Sequence, residues 1–209
     1  MKRLIVTALL VLGLGTTQAY SQEIMGGIKL DANLSNFFLK DFDGINSKIG
    51  FGLSIGGYTK IDFMESFALQ PEILLHYKTS TIEEERSGDE MDFQYFGVEI
   101  PLYAMYQTNL QTGKCFFGAG PYLGFGINAL YKSDYLTEDL DLYKEYDGQK
   151  SVMNRFDFGI GVILGYEFSN RLQIAATWKM GVINLENANK DNTSMRNNTF
   201  SLGLGYRFN

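Results

Sequence analysis

The chain's single histidine, His76, lies four residues after Glu72 in the stretch FALQPEILLHYK (67–78). Glutamate and histidine at that spacing could share a proton or hold a metal, provided they come within hydrogen-bond reach. Whether they do depends on the element that carries them. Phe67, Leu69, Pro71, Ile73, Leu75 and Tyr77 alternate with Ala68, Gln70, Glu72, Leu74, His76 and Lys78, and period two is the mark of a strand with unlike faces. On a strand the pair shares a face but sits about 13 Å apart. It reads as two polar residues on one side of a sheet, and not as a catalytic dyad.

The other candidates for chemistry are weaker still. The run TIEEERSGDEMD (81–92) and the acids Asp134, Glu138, Asp139, Asp141, Glu145 and Asp147 could bridge divalent cations, but solvated loops have the same composition. Asp41-Phe42-Asp43-Gly44 departs from a calcium loop, because its Gly comes early and Gly52 stands where the closing Glu is needed. Cys115 is the only cysteine. It allows no internal disulfide and no cysteine zinc site, and reads as a small apolar strand residue. No order of Ser, His and Asp suggests a triad, and no glycine run makes a phosphate loop. The expectation is no enzyme, no metal and no cofactor.

Composition narrows the setting. The net charge of -6 argues against nucleic acid as a partner, since such a face needs clustered Lys and Arg. The chain opens MKRLIVTALLVLGLGTTQAYSQ, with a positive start, an apolar run too short to span a bilayer, and small residues. We read residues 1–21 as a signal peptide and 22–209 as one domain, with cleavage after Ala19 the alternative. No later apolar stretch is long enough for a membrane helix. If the exported chain lives in a membrane, it must do so as a barrel.

Seven further segments repeat the alternation of 67–78: 24–34, 49–61, 93–106, 115–130, 156–168, 172–183 and 200–208. Short links (62–66, 108–113 and 169–171) alternate with longer ones (35–48, 79–92, 132–154 and 184–199). That layout predicts an eight-stranded antiparallel up-and-down transmembrane β-barrel, with short periplasmic turns and longer extracellular loops. Every strand has an uncharged apolar face, expected to meet outer-membrane lipid, because a Lys or Arg there costs about 2–4 kcal/mol near the midplane. The opposite face is rich in glycine and carries Lys29, Asp31, Lys60, Glu72, Lys78, Glu99, Arg155, Asp157, Glu167, Lys179 and Arg207. In a narrow lumen these charges are expected to pair, since a lone buried charge is costly, leaving the barrel plugged. Asn128 is expected on this inner face. Pro71, Pro101 and Pro121 fall in three neighbouring strands, where each removes a ladder donor, and a shared bulge is the expected accommodation.

The stretches GFGLSIGGY (50–58), FALQPEILLHYK (67–78), YFGVEIPLYAMY (95–106), FFGAGPYLGFG (116–126), FDFGIGVILGYEF (156–168) and LGLGYRF (202–208) resemble the PorT-type outer-membrane β-barrel proteins over nearly the whole exported chain. The resemblance implies an integral outer-membrane barrel of Gram-negative envelopes. Its founding member is implicated in secretion, and no catalytic residues come with the family. Tyr206 and Phe208 look like the terminal aromatic signal read by the barrel-assembly machinery, although Asn209 follows. The function expected is therefore envelope structure, partner docking, or secretion and assembly. The rival is a soluble periplasmic lipocalin-like carrier with its apolar face inward. A lipid-modifying barrel enzyme ranks below both.

Overall fold

Alternation over this length becomes long strands. A computed structural model describes residues 23–41, 44–84, 90–132, 140–145, 151–187 and 193–208, so the expected signal peptide lies outside the described residues. The barrel strands are β1 (Glu23–Lys40), β2 (Ile45–Met64), β3 (Phe67–Glu84), β4 (Glu90–Leu110), β5 (Gly113–Lys132), β7 (Phe156–Phe168), β8 (Leu172–Gly181) and β9 (Ser194–Arg207). The two-residue β6 (Leu140–Asp141) belongs to the long link after β5 and pairs with Leu130 and Tyr131. Neighbours in sequence pair antiparallel, and β1 closes on β9. The eight-stranded barrel read from the sequence is the fold.

The stagger of the barrel follows from its registers. Beginning at Ile24, the paired residues run through Ile61, Leu69, Ala104, Ala119, Val162, Trp178 and Phe200, and return to β1 at Leu34. Ten residues of shear over eight strands correspond to a strand tilt of about 40–45° and an interior that side chains can fill.

Three expectations need correction. The links 35–48 and 79–92 are largely strand and the end of 184–199 is strand too, because β1 runs to Lys40, β2 begins at Ile45, β3 runs to Glu84, β4 begins at Glu90 and β9 at Ser194. Five strands of 18–21 residues are about twice the 9–11 that cross a bilayer. They rise well above the membrane at the long-link end. Secondly, the prolines produce no bulge. Pro71 pairs with Leu102 and Leu74 with Glu99 in one unbroken register, as do Pro101 with Tyr122 and Ala104 with Ala119. The ladder loses bridges at these gaps without slipping. Gly120 faces the second gap, where a Cβ would overlap the Leu102 carbonyl oxygen. Its bare backbone therefore lets β4 and β5 stay close where a bond is missing. Thirdly, Asn128 is exposed. The register steps between Phe96 and Gly97, which face Asn128 and Gly126, so Ile127 is the extra residue of a bulge. The alternation inverts beyond it, turning Ala129 inward.

Elsewhere the two faces stand as the alternation predicts. Large apolar side chains point outward, Ile24, Ile55, Ile73, Leu164 and Leu202 being about 60% exposed (65%, 60%, 62%, 64% and 59%). Lys60, Glu72, Lys78 and Glu99 point inward and are buried. A soluble carrier needs the reverse arrangement, so that reading is set aside. Exposed aromatics gather in two belts. Phe67, Tyr106 and Phe117 are in ring contact near the short-turn end, with Tyr166 against Phe168 and Tyr206 against Phe208. The upper belt includes Tyr77, paired with Phe96, and Phe125 against Phe156. Along β3, Phe67 to Tyr77 covers ten residues. That is about 33 Å of strand, or about 23–25 Å of height at this tilt, the size of an outer-membrane apolar band.

Candidate functional site

The lumen is built in layers by inward side chains of successive strands. Nearest the short turns, Arg207 Nε donates to Glu167 Oε1 at 2.8 Å, and Gln173 Nε2 donates to Glu167 Oε2 at 2.7 Å. Ala68, Tyr103, Met105, Phe116 and Ile163 form an apolar cluster in the same lower half. Higher up, Lys29 Nζ lies 3.1 Å from Glu72 and 3.5 Å from Asp31, while Gln70 donates to the other Glu72 oxygen at 2.8 Å. Glu99 then receives two lysines, Lys78 at 3.3 Å and Lys179 on its other oxygen. Glu167, Glu72 and Glu99 are thereby each met by a cation from another strand, and Asp31 by Lys29 of its own strand, which offsets the desolvation of both charges. Above this, Asp157 accepts from Tyr122 Oη at 3.0 Å and Asn197 Nδ2 at 3.1 Å.

Beyond Asp157 the interior changes character. Phe37, Phe93, Tyr95, Ala129, Leu142, Tyr143, Met153 and Leu185 pack into a second apolar cluster. Strands supply the first four residues. The links after β5 and β8 supply the others by folding inward across the opening. Leu142 N donates to Ala129 O, Met153 N to Leu142 O, and Asn154 N to Leu185 O, which fixes the backbone of both links. Arg155 completes the clasp. Its Nη1 donates to Gly126 O at 3.2 Å and Ile127 O at 3.0 Å, and its guanidinium lies 4.4 Å from the centre of the Tyr143 ring. The bulge at Ile127 presents those two carbonyls. Two small voids of this interior are about 10 Å³ each, one beneath the apolar cluster and one beside Lys29 and Gln173. That is barely the room of one water.

Over the apolar cluster opens a cup of about 270 Å³, lined by the inward residues of the projecting strand ends and by Leu142, Met153, Leu185 and Glu186. Sequence reading missed both the cluster and the cup, having assigned 35–48, 79–92 and 132–154 to polar links. The signal was present in Phe37, Leu142 and Met153, large apolar residues within those links.

Eight of the eleven lumen charges named from the sequence meet as described: Lys29, Asp31 and Glu72; Lys78, Glu99 and Lys179; Glu167 and Arg207. The other three depart from the expected pairing. Asp157 is held by neutral donors. Arg155 precedes β7 and is drawn to backbone carbonyls and a ring, away from the axis. Lys60 is 2% exposed with no ion pair to another described residue. Glu72 and His76 remain apart. His76 is buried, stacked on Tyr95 with centroids 5.0 Å apart, and neither ring nitrogen has a hydrogen-bond partner among the described residues. Among the described residues no cluster of three or more His, Cys, Asp or Glu could hold a metal. Of the possible calcium loop, Phe42 and Asp43 lie outside the described residues, as do Asp134, Glu138, Asp139 and Asp147 of the second acidic run.

Comparisons with known proteins bear on the whole barrel. Residues 7–208 match the outer membrane protein beta-barrel domain family. No curated protein matches the sequence. Among solved structures, Neisserial surface protein A is similar over 88% of this chain and 97% of its own, at 14% identity and a TM-score of 0.50. That likeness is one of fold. Ail, the attachment invasion locus protein of Yersinia pestis, solved with the heparin analogue sucrose octasulfate, aligns over 89% of this chain and 99% of its own at 17% identity and a TM-score of 0.46. The outer membrane enzyme PagL aligns over 84% and 98% at 12% identity and a TM-score of 0.41.

Proposed function

The chain belongs to the outer membrane protein beta-barrel domain family, and from that premise we propose a non-conducting barrel of the outer membrane that acts through its extracellular end. The observation that carries this reading is the filled interior, with its ion pairs across strands, its apolar cluster above them, and voids of about 10 Å³ between. Such a column leaves ions little room for a continuous water path, which supports this reading. What the fold offers outward is a rim of strands standing above the apolar band, on which a partner can dock. The PorT-type resemblance supports a secretion- or assembly-associated partner over a purely structural role. Tyr206 and Phe208 are proposed as the terminal signal for the barrel-assembly machinery. Both point outward at the strand that closes the barrel, and Phe208 N donates to Gly26 O at 2.7 Å.

The test is electrical. Purified barrel reconstituted in planar bilayers is expected to give no stable conductance steps. Exchange of Tyr103 and Tyr122 together for alanine, which removes two of the largest fully buried lumen side chains, is expected to let small steps appear. Stable open steps from the unaltered protein refute the reading.

A further inference from the structure

We propose that the extracellular cup is a binding site for a small amphiphile with a short aliphatic body and a cationic, hydrogen-bond-donating head, such as an alkylamine. The cup is a cavity of about 270 Å³, room for roughly nine water-sized groups at ~30 Å³ each. An alkyl chain of about six to eight carbons with a one-atom head fills it at that packing. Leu39, Ile45, Ile82, Met153 and Met195 face it from five different segments. The two methionines give it walls that adapt to an unbranched chain.

The head group is read from Glu186. This side chain also lines the cup, and its Oε2 is buried without a hydrogen-bond partner among the described residues. A buried carboxylate oxygen left without a donor is costly. The backbone beneath it is held in place. Glu186 N donates to Asn184 Oδ1 at 3.1 Å, and residue 186 bridges to Met153. A ligand that brings N–H donors with positive charge meets that oxygen, whereas a fatty carboxylate brings a second negative charge to it. Access is from outside the cell and not from the bilayer, because the lining residues are inward-facing ends of strands that stand above the upper aromatic belt. The ligand is therefore one that dissolves in water as a monomer.

The test uses the intact barrel in lipid nanodiscs with methionine methyls labelled with carbon-13. Met153→Leu and Met195→Leu assign the two cup signals. Octylamine is expected to shift both signals saturably, and octanoate to bind at least tenfold more weakly. Glu186→Gln is expected to weaken octylamine about tenfold and to narrow the difference between amine and acid. Ile82→Trp, which fills the cup, should abolish saturable shifts. Each variant is first shown to migrate as a folded barrel on unboiled gels. Shifts that never saturate, or that survive Ile82→Trp, refute the site. Equal affinity for amine and acid, or an unchanged affinity in Glu186→Gln, refutes the assignment of the head group.

Discussion

Glu99 is the anion on which two lysines depend, and its removal is the sharpest test of how the lumen is held. Glu99 is 1% exposed, and the side chains of Lys78 and Lys179 are 5% and 4% exposed. Glu99→Gln keeps the volume and the acceptor oxygen but deletes the charge, stranding two buried ammonium groups. Breaking one buried pair costs about 3–5 kcal/mol. With two cations sharing one partner, about 4–5 kcal/mol is expected. Replacing all three residues by methionine removes every charge at similar volume, and should return stability to within about 1–2 kcal/mol of the native barrel or above it. Urea unfolding in vesicles, followed by fluorescence of Trp178, reads both values. This only tryptophan is on the lipid-facing side of β8 and 41% exposed. Glu167→Gln is the internal comparison. Its partner Arg207 is 19% exposed and keeps part of its hydration, so about 1–2 kcal/mol is expected, the ordinary range for a charged hydrogen bond. A Glu99→Gln loss below about 1 kcal/mol would refute the pairing account, as would a triple variant no better than the single.

Two further outcomes test the placement of the barrel and its terminal signal. Leu202 lies between the belts and is 59% exposed, whereas Ile49 is 66% exposed but stands above Tyr77 and Phe96. Leu202→Arg should cost about 2–4 kcal/mol in vesicles and Ile49→Arg about 0–1 kcal/mol; equal costs would mean that the apolar band has been placed at the wrong height. Phe208→Ala, and more so its combination with Tyr206→Ala, should lower the folded fraction in cell outer membranes several-fold while the purified barrel still refolds in detergent. An equal loss in both assays would show that these aromatics act only through packing.

The strands and their faces were legible because one rule governs them. Lipid strips charge from one side of every strand, and the fixed period of two carries that constraint along the chain, so Ile28, Leu30, Leu202 and Leu204 announce their side without any knowledge of partners. The pairings within the lumen obey no such rule. Lys29 meets Glu72, 43 residues away, because ten residues of shear bring β1 and β3 side chains to one level. No spacing in the sequence encodes a level. Asn128 was assigned to the wrong face for a related reason, since a single extra residue inverts every position after it and leaves no mark in composition.

The extracellular end was illegible for a different cause. There the outer face meets water and tolerates Asn36, Lys48 and Asp92, while the inner face is apolar at Phe37, Phe93 and Ala129. The alternation persists across the upper belt, but its sense reverses, from apolar-out to apolar-in. A reading that follows one sign of the pattern sees it fade at about residue 35 and names a loop. Physically the same chain changes solvent. Within the membrane the lumen must hold the polar residues that lipid refuses. Above it the strands and inward-folded links bury apolar groups as any water-soluble protein does. The cup sits where these two regimes meet, with the apolar cluster as its floor above the charged column. The ligand site proposed at that boundary rests on the reversal itself, since there apolar interior surface is reachable from outside.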